Sequence, residues 1–186
     1  VYDEKSEDFY QVADISVKAI KYFSEDLPGV PYPYPVMTVF NGQGGMEFPM
    51  MVNDGSESTY SSAVGLTSHE IAHTWFPFFM GTNEVKYAFM DEGWARMLPY
   101  KFQKEVGKYN PIASQMKAFD ELAGREFEVP PMVPSIQLKG QTYRMAAYNR
   151  PSLAYLFLQD MMGEDKFREG MKYYISVWKG KHPMPF

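Results

Sequence analysis

The sequence predicts an α+β domain in which a small sheet with an exposed edge strand packs on helices. Three observations predict it. Residues 8–26 place Val12, Ile15, Ala19, Ile20 and Phe23 at helical spacing. Residues 36–40 and 47–52 read as two short strands with a glycine-rich turn between them. The rest of the chain alternates helical stretches with glycine and proline breaks.

Each element follows in order. Ser6 is placed to cap the first helix, and Pro28-Gly29 ends it. Residues 30–35 are proline-rich and extended. Residues 41–45 form the turn between the strands, and Pro49 assigns the second strand to an edge, because proline cannot donate to a ladder. Asn53-Asp54-Gly55 reads as a turn. Gly65 and Thr67-Ser68 offer a turn and a cap for a helix carrying Ile71, Ala72 and Trp75, which Pro77 stops. A second helix starts near Phe89 and runs to about Glu105. Another starts at Asn110-Pro111 and ends by Gly124. Residues 126–142 are a polar, proline-rich connection. Helices at about 150–162 and 164–178, parted by Gly163, close the chain.

Composition narrows the function classes. A chain of 186 residues holds one domain with a sizeable core. The net charge of −5, with no basic run, argues against nucleic acid as the main partner. The absence of cysteine excludes a disulfide scaffold and a thiol nucleophile. No apolar run is long enough to span a bilayer, and no signal peptide is visible at Val1. The chain starts without Met and ends at Pro185-Phe186, so it reads as a fragment of a longer protein, and its compartment stays open.

The chemistry concentrates at His69-Glu70-Ile71-Ala72-His73, which holds two of the three histidines in the chain. Residues i and i+4 share one face of a helix, so both imidazoles can bind one metal ion. Glu70 projects to another side, where it suits a general base acting on water at the metal. Catalytic zinc commonly takes three protein ligands and keeps a fourth position for water. Glu92, in Asp91-Glu92-Gly93-Trp94-Ala95, stands at the start of the next helix, where a carboxylate also suits the helix dipole. Asp91 competes for the same role, and periodicity does not separate the two.

These residues carry a family resemblance. The H-E-x-x-H pentad, Trp75-Phe76, and Glu92 after eighteen intervening residues resemble the gluzincin metallopeptidases. More narrowly, they resemble the aminopeptidase N family, which includes leukotriene A hydrolase. Gly44-Gly45-Met46-Glu47 stands at the place of that family's G-x-M-E-N motif. Tyr148-Asn149-Arg150-Pro151 falls where the family has a Y-x-K-G-like segment before an apolar helix. The likeness spans about residues 30–175. Phe48 replaces the motif's asparagine, Arg150-Pro151 replaces Lys-Gly, and Pro77 stands where glycine is frequent; none of these removes a group with direct chemistry.

The resemblance implies a thermolysin-like zincin domain with a small mixed sheet, occupying residues 1–186 of a longer multidomain aminopeptidase. One Zn²⁺ would be held by His69, His73 and Glu92. Glu70 would be the general base, and Tyr148 would donate to the oxyanion, with Tyr143 matching a second tyrosine of some relatives. Glu47 would hold the substrate's free N-terminal ammonium beside the Gly44, Gly45 and Met46 backbone. The partners implied are peptides with a free N-terminus and the N- and C-terminal domains of the parent protein. Two other classes compete: an endopeptidase or epoxide hydrolase on the same zinc scaffold, and a binding domain that keeps the fold without catalysis. A requirement for a free amine separates the first, and loss of a ligand or base would mark the second.

Overall fold

The computed structural model describes residues 5–186; the first four, which the single-domain expectation includes, lie outside the described residues. Helix α1 (Phe9–Glu25) buries Val12, Ile15, Ala19 and Phe23 on one stripe, as its spacing requires. Ser6 does not cap α1 through its side chain: its hydroxyl donates to Asn41 Oδ1, tying the helix entry to the sheet, while its carbonyl accepts from Phe9 N.

The sheet has three strands in the order β1-β3-β2, from β1 (Thr38–Asn41), β2 (Met46–Phe48) and β3 (Met51–Asp54). Strand β1 runs parallel to β3, with Thr38 opposite Met51, and β2 runs antiparallel to it, with Glu47 opposite Val52. The sheet is therefore small and mixed, with β2 at an edge. The single strand expected over 47–52 is instead two strands joined by a turn at Pro49-Met50, where Met50 takes a left-handed φ of 59°. The turn expected at Asn53-Asp54-Gly55 is likewise corrected, since Asn53 and Asp54 pair within the sheet.

Helix α2 (Tyr60–Ala72) begins earlier than Thr67-Ser68. Thr59 and Ser62 form a reciprocal capping box, and Gly65, Thr67 and Ser68 are interior residues. The local signal at Thr67-Ser68 was misleading because both hydroxyls are spent on tertiary partners: Thr67 donates to Asp54, and Ser68 accepts from Gln103. After α2 a kinked segment, Thr74–Phe79, breaks at Phe76, just before Pro77. The second long helix is also divided. A 3₁₀ turn (Ala88–Met90) leads into α3 (Glu92–Met97), and Pro99 separates it from α4 (Tyr100–Val106), since proline lacks the N–H that would continue the ladder.

Helix α5 (Pro111–Asp120) starts where expected, with Asn110 accepting from Ala113 N. The 126–142 connection carries a 3₁₀ turn at Ser135–Gln137 and leads into α6 (Gly140–Arg144). A π-type turn, Met145–Asn149, joins α6 to α7 (Arg150–Met162), and α8 (Glu164–Trp178) follows Gly163.

The core lies between α1, α2, α3 and α8. Phe23 and Trp75 meet with ring centroids 5.2 Å apart, and Trp94 stacks on Tyr155 at 3.7 Å. Burying each such side chain stabilises by about 1.5–3 kcal/mol. Trp75 also donates its indole N–H to Val30 O, which fixes the start of the extended 30–35 segment against the kinked segment after α2. Among the described residues no helix is long and apolar enough to cross a membrane.

Candidate metal centre

Helix α2 places His69 and His73 one turn apart, and α3 brings Glu92 up to them. His69 Nε2 lies 3.4 Å from His73 Nε2, and Glu92 Oε2 lies 3.3 Å from the first and 3.4 Å from the second. A tetrahedral ion with ligand distances of about 2.0–2.1 Å has ligand–ligand edges of roughly 3.3–3.4 Å. The three atoms therefore have the spacing of one face of a zinc tetrahedron. Glu92 Oε2 is buried and makes no hydrogen bond, an expensive arrangement unless a cation completes it. Burial raises the Glu92 carboxyl, but the two histidines outweigh it and hold the group below the usual carboxylate range.

The proton positions follow from the second shell. His73 Nδ1 lies 2.6 Å from Asp91 Oδ1 and 3.2 Å from Phe76 O, both acceptors. Nδ1 must carry a hydrogen, so Nε2 is the nitrogen turned toward His69 and Glu92 and left for a metal. That contact also distinguishes the two neighbouring acids: Asp91 Oδ1 sits at hydrogen-bond distance from a protonated nitrogen, whereas Glu92 presents a free oxygen to both imidazoles. Burial lowers the His73 pKa, but Asp91 and then Glu92 raise it well above the ordinary value.

Glu70 is 5% exposed and lies over the turn before β2. A Cβ at Gly45 would fall 2.2 Å from Glu70 Oε1, so the carboxylate occupies the space that glycine leaves free. Burial raises Glu70 to about 7, with His69 and His73 opposing. Tyr148, in the π-type turn, donates its hydroxyl to Glu92 Oε1 and has its ring 6.3 Å from His69. Burial first, then Glu92, drives its pKa far above the usual phenol value. Tyr143 stacks edge-on to Tyr148 at 6.0 Å, and burial pushes it up to about 12.

Glu47 projects from edge strand β2, and its carboxylate lies within 4.8 Å of ligand atoms of His73 and Asp91. His69, Glu70, His73, Glu92, Glu47, Tyr148 and Tyr143 thus stand near one another, with Gly45 against Glu70, while Met46 is 42% exposed on the edge strand and Gly44 meets no neighbouring side chain. One acid was missed. Glu84, in the loop after the kinked segment, has a buried Oε2 without a hydrogen-bond partner. Burial, then Glu47, raises its pKa. Nothing in its local sequence singled it out, because a loop glutamate is ordinarily solvated. The departures from the motif are also placed. Phe48 stands 46% exposed on the edge strand. Arg150 binds Glu128 and Val129 O, and so ties the 126–139 connection to α7.

The profile of the Peptidase family M1 domain matches residues 12–183. No functionally curated protein matches the chain. Among solved structures, a mutant M1 zinc metallopeptidase from Deinococcus radiodurans is similar over 100% of this chain and 39% of its own, with a TM-score of 0.70 at 16% identity. The same kind of mutant bound to a Tyr-Ser-Ala substrate is similar over 91% of this chain and 38% of its own, with a TM-score of 0.71 at 19% identity. The chain therefore spans about two-fifths of the length of these structures. At these identities the likeness is one of fold, and it agrees with the mixed sheet on helices seen here. Matched over almost its whole length by that profile, the chain belongs to peptidase family M1.

Proposed function

We propose that this chain is the catalytic domain of a longer zinc aminopeptidase. The observation that carries the reading is the ligand triangle of His69, His73 and Glu92 at tetrahedral spacing, with the Glu70 carboxylate beside it and the Glu47 carboxylate on the adjoining edge strand. Zinc held by those three side chains supplies Lewis acidity toward a substrate carbonyl and lowers the pKa of its water.

The remaining work falls to the chain's own groups. Glu70, buried and raised to about 7, is matched to accept a proton at its carboxylate near neutral pH as water attacks the carbonyl. The same group returns that proton to the leaving amine. The Tyr148 hydroxyl stays protonated and donates to the developing oxyanion, turning away from Glu92 Oε1 to do so. The substrate lies along β2 as an added strand, because an edge strand leaves backbone groups free. Glu47 pairs with the N-terminal ammonium and so sets the first peptide bond at the ligand triangle.

The deciding experiment compares a short peptide with its N-acetylated twin, using the full-length protein. The free peptide is expected to be cleaved far faster. Glu47→Ala should remove about one to two orders of magnitude of that preference in kcat/KM, the value of a charged hydrogen bond. Equal cleavage of both peptides by the unsubstituted protein would replace the exopeptidase reading with an endopeptidase on the same scaffold.

A further inference from the structure

A cavity of about 330 Å³ opens on the His69 side of the ligand triangle and is not used by the chemistry above. Its wall includes Gly65, Leu66 and His69 from α2, Arg96 and Tyr100 from the α3–α4 corner, and Tyr109. Neither Glu47, His73 nor Asp91 lines it. Glu47 instead sits with His73 and Asp91. The two histidines therefore order the cleft: Glu47 at one end, then His73, then His69, then the cavity. A peptide whose ammonium is held at Glu47, and whose first carbonyl reaches the triangle, directs its next residue toward the cavity. The volume is at the lower end of small-ligand pockets and suits a single residue.

The cavity wall holds one cation, Arg96, and one acid, Glu57. The cleft gathers Glu47, Glu70, Glu84, Asp91 and Glu92, yet Arg96 is the cation on this wall. Arg96 is half-buried, and among the described residues no carboxylate lies within 4.0 Å of its guanidinium. Glu92, four residues earlier, is the natural helical partner for an arginine. That carboxylate is committed to His69, His73 and Tyr148. Glu57 also lines the cavity but stands outside ion-pair distance of the guanidinium.

The neighbours of Arg96 are two phenols. Tyr100 is only 5% exposed, and its hydroxyl is buried beside Ser152 and Arg96, where it packs against the guanidinium rather than opening to the cavity. Burial raises its pKa, with Ser152 and Arg96 opposing. Tyr109 enters the wall because residue 65 is glycine: a Cβ there would fall 2.9 Å from the Tyr109 hydroxyl. A half-buried arginine without an acid of its own offers a planar donor fork to a planar anion.

We infer that Arg96 is a specificity-determining residue that binds a carboxylate on the residue following the scissile bond. The carboxylate is either an acidic side chain or the C-terminus of a dipeptide, and both present the same planar acceptor. The direction of the substrate rests on the aminopeptidase reading; the affinity of the cavity for a carboxylate does not.

The test uses two matched pairs in the full-length protein. Ala-Glu-Ala-amide against Ala-Gln-Ala-amide isolates the side chain, and Ala-Ala against Ala-Ala-amide isolates the terminus. At least one acidic member should be favoured about tenfold or more in kcat/KM, chiefly through KM, as expected for a contact made equally in ground and transition states. Arg96→Gln should bring that ratio near unity, Arg96→Lys should restore part of it, and bound zinc should be unchanged in both. An unchanged ratio in Arg96→Gln overturns the inference while leaving the peptidase reading intact. Calorimetry on Glu70→Gln protein with the same peptides supplies a readout without turnover. Arg96-dependent preference for the carboxylate there, with no cleavage by the unsubstituted protein, would uphold the inference and defeat the peptidase reading. Equal affinity for both members of each pair would defeat the inference.

Discussion

The metal centre and the β2 edge lie side by side and are built on opposite rules. At the centre, polar groups are buried: His73 is 1% exposed and Asp91 is 2% exposed. Most have an assigned partner, such as Asp91 for His73 Nδ1, Tyr148 for Glu92 Oε1 and Gln103 for Ser68. At the edge, apolar groups are exposed, with Met46 at 42% and Phe48 at 46%, and one side of the strand has no ladder partner among the described residues. The difference teaches how the site divides its work. Buried polar groups hold a fixed geometry because leaving any of them unpaired is costly. The open edge and its exposed side chains suit it to receive something that arrives from solution.

Glu70→Gln gives the largest expected effect and acts on the buried side alone. The amide keeps the shape but cannot take a proton. We expect activity of the full-length protein to fall by about 10²–10⁴-fold, with zinc content after dialysis close to that of the parent. Near-normal turnover would remove Glu70 from the general-base role. Loss of zinc would make it a structural part of the metal centre instead.

Gly45→Ala attacks the point where the two regions touch. Its methyl group would fall 2.2 Å from Glu70 Oε1, so the carboxylate or the strand must move. A displacement of about 1 Å at reacting groups can cost on the order of 10²-fold. Activity should drop by that order, with zinc binding and thermal stability nearly unchanged. If activity survives, the edge and the base are not coupled.

Asp54→Asn gives the smallest effect and sharpens the contrast within the buried group. Asp54 is 1% exposed, and although Thr67 donates to one oxygen, Oδ1 is buried without a partner. Burial raises its pKa to about 6, with the Thr67 hydrogen bond opposing. The folded state therefore binds a proton at a pH where the unfolded chain, near 3.9, has released it. The stability tied to this proton is present below about pH 4 and is lost as pH rises through 6, on the order of 2–3 kcal/mol in all. Asp54→Asn should remove that slope. Urea midpoints of the two proteins, measured from pH 4 to 7.5, should diverge in favour of the variant as pH rises. Parallel profiles would show that Asp54 titrates normally.

Much of this was legible in the linear chain. His69, Glu70 and His73 declare themselves because a helix converts i, i+4 spacing into a shared face regardless of what packs against it. The α1 stripe, the Asn110-Pro111 start and the Gly163 break are equally local. The errors also have local causes. Gly65 and Thr67-Ser68 resemble a helix start, yet within α2 the absent Cβ of Gly65 makes room for Tyr109 and the two hydroxyls serve Asp54 and Gln103. Pro49 marks an edge correctly but sits in a turn that divides one expected strand into two.

Periodicity therefore decides which residues share a face, and motif spacing decides which chemistry they suit. It could not separate Asp91 from Glu92, since both stand at the same helix start; only the position of α3 against α2 gives Asp91 to the His73 ring and Glu92 Oε2 to the ligand triangle. Nor could it single out Glu84 or Arg96, because a loop acid and a helical arginine are ordinarily solvated. Their significance depends on which charges stand nearby and which partners are already taken, and those distances exist only once remote segments have packed together.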